Sequence, residues 1–250
     1  MTAAARRSII FEAAKNRKET ERTLLYIIDT ANLDDIKRCM EYFPVAGVTT
    51  NPTIISKEHT GFPDLIKAIR ALIGDEKMLH IQTTGTDAQT IVKEAVLLRD
   101  FVGGDFYAKI PISPEGLKAT MQLKKMGIKV TETAIFTQQQ AMIAAQAGAD
   151  FVAPYINRLD SIVSDGVHVV SEIVKMFNVH NIKSRVLAAS FKNVEQIHKI
   201  ALAGGHAVTI SPELFNTLTY HPLTDRAIES FNADWQSVYG DKGVLDVFER

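Results

Sequence analysis

Eight short apolar runs, each separated from the next by a stretch long enough for a helix or a wide loop, constrain this chain more than any other feature of its sequence. They fall at Leu25–Asp29, Ala46–Thr49, Met78–Gln82, Phe106–Ile110, Val130–Ile135, Phe151–Tyr155, Arg185–Ser190 and Ala207–Ile210. Each is rich in β-branched residues and continuous in apolar character, the pattern of a parallel strand buried on both faces. Between them lie amphipathic segments such as Asn32–Tyr42, Asp87–Phe101, Pro114–Met126, Thr137–Ala147 and Val194–Leu202. Pro114 stands just inside a helix start and Gly127 follows a helix end. The pattern predicts βα units repeated to closure, an α/β fold with a single (β/α)8 TIM barrel. An open doubly wound sheet has the same local pattern. The length of 250 residues and the unbroken alternation favour the barrel.

Residues 1–23 read as a charged N-terminal extension, 24–225 as the barrel and catalytic domain, and 226–250 as a helical tail. In the tail, Ile228, Phe231, Trp235, Val238 and Tyr239 recur at helix-like spacing, a stripe that packs on its own body or on a neighbouring subunit. Hydrophobic residues make up 46% of the chain, enough for a large core, and a net charge of −1 gives no general attraction to nucleic acid. The single cysteine, Cys39, rules out an intrachain disulfide and a Cys-rich zinc site. No apolar run is long enough to cross a bilayer, and Arg6 and Arg7 are followed by a charged stretch, unlike a signal peptide. These features point to the cytoplasm, with neither a membrane nor a nucleic acid as partner. The seven histidines show no ligand spacing and there is no Gly-rich nucleotide loop, so no metal and no cofactor are expected.

In barrels of this kind chemistry sits where the strands end. Here nearly every run delivers a polar side chain to that rim: Asp29, then Thr49, Thr50 and Asn51, then Gln82, Lys109, Glu132 with Thr133, Tyr155 with Arg158 beyond, and Ser190 before Lys192. Lys109 stands out, because it lies inside the apolar run Phe106–Ile110, where an ammonium is costly to bury. Its plainer reading is a lysine that reaches solvent or pairs with Asp29 or Glu132. Its sharper reading is an amine whose pKa burial lowers, free to attack a ketone. Bringing a lysine from about 10.4 to near 7 costs roughly 4–5 kcal/mol, which a fold tolerates mainly where function needs it. The others have plain readings too. Asp29 suits a helix cap, and Thr49–Pro52 suits a turn with Pro52 opening a helix. Arg158 suits a surface ion pair or an anion clamp, and Ser190–Lys192 a strand end or a phosphate site.

The segments IIDTANLDDIK from residue 27, AGVTTNPTIISKE from 46, YAKIPISPEGLKA from 107, VAPYINRLD from 152 and LAASFK from 187 resemble the transaldolase-like class I aldolases, the fructose-6-phosphate aldolase subgroup above all. The resemblance implies that Lys109 forms a Schiff base with a ketose or dihydroxyacetone, and that Asp29 assists proton transfer at the bond being cleaved. It implies that Gln82, Thr133 and Tyr155 hold a proton-shuttling water. Thr49 and Asn51 would bind the dihydroxyacetone portion, and Arg158, Ser190 and the Ala189 backbone the aldehyde's phosphate. It further implies a homo-oligomer, up to a decamer, joined through the C-terminal helix.

Many transaldolases similar to this chain carry Glu and Phe where Gln82 and Tyr155 stand, whereas the aldolase subgroup resembles it in having Gln with Tyr. A phenol near the enamine can pass it a proton through water, releasing dihydroxyacetone without an acceptor aldehyde. The threonines after Gln82 and Glu132 beside Thr133 depart from that subgroup's pattern. Three readings follow: an aldolase cleaving fructose 6-phosphate or a related ketose phosphate, a transaldolase moving a dihydroxyacetone unit, and a non-catalytic sugar-phosphate-binding barrel.

Overall fold

A continuous apolar strand needs cover on both faces, and a ring of strands with helices outside supplies it. In the computed structural model, which describes residues 23–248, the eight runs do close on themselves. The strands are β1 (Leu25–Asp29), β2 (Val45–Thr49), β3 (Met78–Gln82), β4 (Phe106–Pro111), β5 (Lys129–Ile135), β6 (Phe151–Pro154), β7 (Arg185–Ala188) and β8 (Ala207–Ile210). All neighbours are parallel, and β8 returns to pair with β1. This is a (β/α)8 barrel.

Helices α1 (Leu33–Tyr42), α2 (Pro52–Ile55), α3 (Phe62–Ile73), α4 (Ala88–Val102), α5 (Pro114–Lys125) and α6 (Gln138–Gln146) alternate with β1 to β6. Then come α7 (Ile156–Asp160), α8 (Gly166–Val179) and α9 (Val194–Leu202). Asparagine, serine, threonine or aspartate caps many of them: Asn32 accepts from Asp35 N, Asn51 from Ile54 N, and Ser113 from Gly116 N. Each such cap contributes about 1 kcal/mol. Asp29 is not the cap that Asp–Thr–Ala–Asn allowed it to be; Asn32 takes that role.

Two predicted strands end early. Tyr155 initiates α7 and joins Ala189 by a single parallel bridge, and Ser190 turns away with φ of 64°. β5 is irregular: its register against β6 shifts between Glu132 and Ile135, and Ala134 has φ of 58°. One residue is thereby spent on a bulge at the rim, a device that re-aims the side chains beside it.

Side chains two apart on a strand share a face. Ile27, Met78, Tyr107, Phe151, Leu187 and Ala207 fill the lower lumen as one cluster. His80 lies flat on Tyr107, their ring centroids 4.4 Å apart. Two residues further along these strands come Asp29, Gln82 and Lys109, so the polar layer stands on an aromatic and aliphatic floor. Gly47 permits β2 and β3 to approach, since a Cβ there would lie 2.3 Å from Met78 O. Gly47→Ala should destabilise the barrel by about 2 kcal/mol in denaturant unfolding; an unchanged midpoint would refute this packing.

A second unit, Phe215–Arg250, follows the barrel. It contains α10's C-terminal part (Pro212–Thr219 in full), α11 (Pro222–Tyr239) and α12 (Val244–Phe248). The Trp235 ring packs on Tyr239, and its indole N–H donates to Lys242 O at 2.6 Å. No described helix is long and apolar enough to cross a membrane. The charged segment expected at the N-terminus lies outside the described residues, save Thr23.

Candidate active site

Lys109 is 4% exposed. Its ammonium donates to the Thr50 carbonyl at 3.1 Å, and no carboxylate lies within 4 Å of it among the described residues. Neither plain reading fits: the side chain does not reach solvent and pairs with neither Asp29 nor Glu132. The loop after β2 holds it. Thr50 is itself anchored by its N–H and Oγ1 to His80 O, and the next residue, Asn51, is fixed by capping α2 at Ile54 N.

On one side of the amine, Thr49 Oγ1 donates to Asp29 Oδ1 at 2.7 Å and also meets Thr209 Oγ1. The register places Asp29 beside Thr49 and Gln82 beside Lys109. On the other side, Thr133 Oγ1 and Tyr155 Oη lie 3.2 Å apart, with Phe136 against the phenol ring edge-on at 5.6 Å between centroids. The Arg158 guanidinium, exposed at the rim, stacks over the same phenol at 4.8 Å. Asp29, Thr49, Asn51, Gln82, Thr133 and Tyr155 therefore line the end of the barrel where Lys109 sits.

Two expectations need correction. The Ala189 N–H donates to Pro154 O at 2.9 Å, because the Tyr155–Ala189 bridge prolongs the sheet by one residue. The next amide, that of Ser190, has no acceptor among the described residues, and Ser190 itself has a left-handed φ of 64°. Glu132, noted beside Thr133, faces the other way. Its Oε1 accepts from Thr120 Oγ1 of α5 at 2.6 Å, outside the barrel wall, and its Oε2 has no partner among the described residues. Burial pushes its carboxyl up to about 7, the Thr120 hydroxyl opposing.

Sequence reasoning missed the layer beneath. His80 donates or accepts at Thr131 Oγ1 (2.9 Å), and burial first, then the Lys109 charge, holds its imidazole well below the usual range, hence neutral. Period-two counting back from Gln82 and Thr133 would have found both.

A buried strand lysine is thus ringed by hydroxyl, amide and carboxylate groups at the C-terminal end of this (β/α)8 barrel. Residues 26–242 match the family model described as Transaldolase/Fructose-6-phosphate aldolase. A probable fructose-6-phosphate aldolase of Streptococcus pneumoniae is 39% identical over 88% of this chain and 99% of its own length. A probable transaldolase of Geobacillus thermodenitrificans is 38% identical over 84% of the chain and 97% of its length. The chain belongs to the transaldolase/fructose-6-phosphate aldolase family. More distant solved structures share the fold alone. A flavocytochrome b2 superposes with a TM-score of 0.57 at 12% identity, over 78% of this chain and 58% of its own.

Proposed function

We propose that the protein is a class I aldolase that cleaves fructose 6-phosphate, or a related ketose phosphate, to dihydroxyacetone and glyceraldehyde 3-phosphate through a Schiff base on Lys109. The burial of Lys109 with no carboxylate within 4 Å among the described residues carries this reading. A buried amine held only by a backbone carbonyl is placed to condense with a ketone, and the imine, once protonated, is an electron sink. The neutral amine attacks C2 and the carbinolamine loses water. Asp29 takes the C4 hydroxyl proton as the C3–C4 bond breaks, leaving a neutral enamine in place of a bare carbanion. Thr49 orients Asp29, and Asn51, whose cap uses only its oxygen, keeps its amide donors for the dihydroxyacetone hydroxyls. Arg158 and the Ser190 amide suit the phosphate, since both are donors at the rim without an anionic partner among the described residues.

The Tyr155 phenol, held to Thr133, then delivers a proton to the enamine through a water that Gln82 shares. Family relatives named probable transaldolase keep the second reading alive, in which the enamine waits for another aldehyde. The two differ in whether dihydroxyacetone leaves without an acceptor. Tyr155→Phe should cut that release about a hundredfold while sparing transfer to an added aldehyde; an unchanged ratio of release to transfer would remove the phenol from this role. The apolar stripe of α11 supports assembly of several copies, and the single reduced cysteine a cytoplasmic setting.

A further inference from the structure

At the strand ends opposite to Lys109 lies an open cavity of about 410 Å3, at the start of β4 to β7. Tyr107, Lys129, Asp150, Lys183, Ser184 and Arg185 line it. Its acidic groups are already engaged. Asp150 accepts from Lys124 Nζ at 2.6 Å and from Val130 N at 2.8 Å, and Asp105 nearby holds Lys129 Nζ at 2.7 Å. Lys183 and Arg185 form no ion pair among the described residues. The Arg185 guanidinium stacks over Phe151, its carbon 4.1 Å from the ring centroid. That covers one face and leaves the edge donors of a planar fork oriented and unused. A half-buried guanidinium with no counter-charge is a cost that an anion would remove. The lining carries three cations against one carboxylate, an excess matching the two charges of a phosphate monoester.

We propose that this N-terminal mouth of the barrel binds a small phosphorylated anion, with Arg185 as a bidentate clamp and Lys183 and Lys129 flanking it, separately from the site around Lys109. The site stands on Arg185, Lys183 and the cavity, and does not depend on the aldolase reading. Calorimetric titration with glycerol 3-phosphate at low salt tests it on the full chain. Arg158→Ala weakens the rim phosphate contact, so the part of the surviving binding that is lost on changing Arg185 or Lys183 reports the second site. The surviving binding should weaken at least about tenfold on adding Arg185→Gln, about threefold on adding Lys183→Ala, and markedly in 0.5 M salt. Lys183 is exposed, so its variant keeps the fold even if Arg185→Gln disturbs packing on Phe151. Binding that Arg158→Ala abolishes outright, or that neither Arg185→Gln nor Lys183→Ala weakens, would overturn the proposal.

Discussion

Lys109→Met should leave the barrel folded and its aldol turnover at least about ten-thousandfold lower, a loss of roughly 5 kcal/mol of transition-state stabilisation. Methionine matches the length of the lysine stem and needs no solvation. The native ammonium is buried with one carbonyl partner, so losing it relieves a desolvation cost and the melting temperature should not fall. Activity and stability thus part company, which a merely structural lysine would not allow. Borohydride added with dihydroxyacetone should label a peptide containing Lys109 in the native chain and none in the variant. Turnover within tenfold of native, or labelling at another lysine, would end the Schiff-base assignment.

The second large effect is on stability, at Glu132. Its carboxyl, pushed up to about 7 by burial, stays protonated in the folded chain at pH values where the unfolded chain, near 4.5, has already ionised. The folded state then holds the extra proton, so this contribution to stability is full below about pH 4.5. It drains away up to about 7 and is lost above it. Across that window the loss amounts to about 3 kcal/mol. Glu132→Gln keeps an acceptor for Thr120 and cannot ionise. Urea unfolding of the two chains at pH 5 and pH 8 should show the native one losing roughly 2–3 kcal/mol more than the variant, part of the effect having gone by pH 5. The difference in slope is the readout, since the amide's unpaired N–H shifts both pH values alike. Parallel pH dependences would mean that Glu132 is solvated or paired.

How far the sequence reveals this molecule depends on which interaction sets each feature. Strands such as Leu25–Asp29, Met78–Gln82 and Ala207–Ile210 appear at the predicted bounds, because burial on both faces writes itself into composition. The polar rim was legible for the same reason: a lysine or glutamine in an apolar run is conspicuous. What was illegible is direction. Glu132 and Thr133 are neighbours in the chain, yet one faces α5 and the other the lumen, and a bulge intervenes one residue later. Likewise Asp29 and Asn32 compete for one cap, and the pairing of Asp29 as the last residue of β1 decides against it. The His80–Tyr107 stack escaped notice because a histidine in a strand looks the same whether it points in or out.

The left-handed residue Ala134 gives β5 a hitch just past Thr133. A strand that ran smoothly to its end would aim the residues after Thr133 half a pleat differently, and the chain leading to Phe136, which braces the phenol, would leave on another heading. Position along the backbone, not affinity between side chains, therefore sets where the hydroxyl–phenol couple finds its support. Trimming one residue there would leave each chemical group intact and scatter the arrangement.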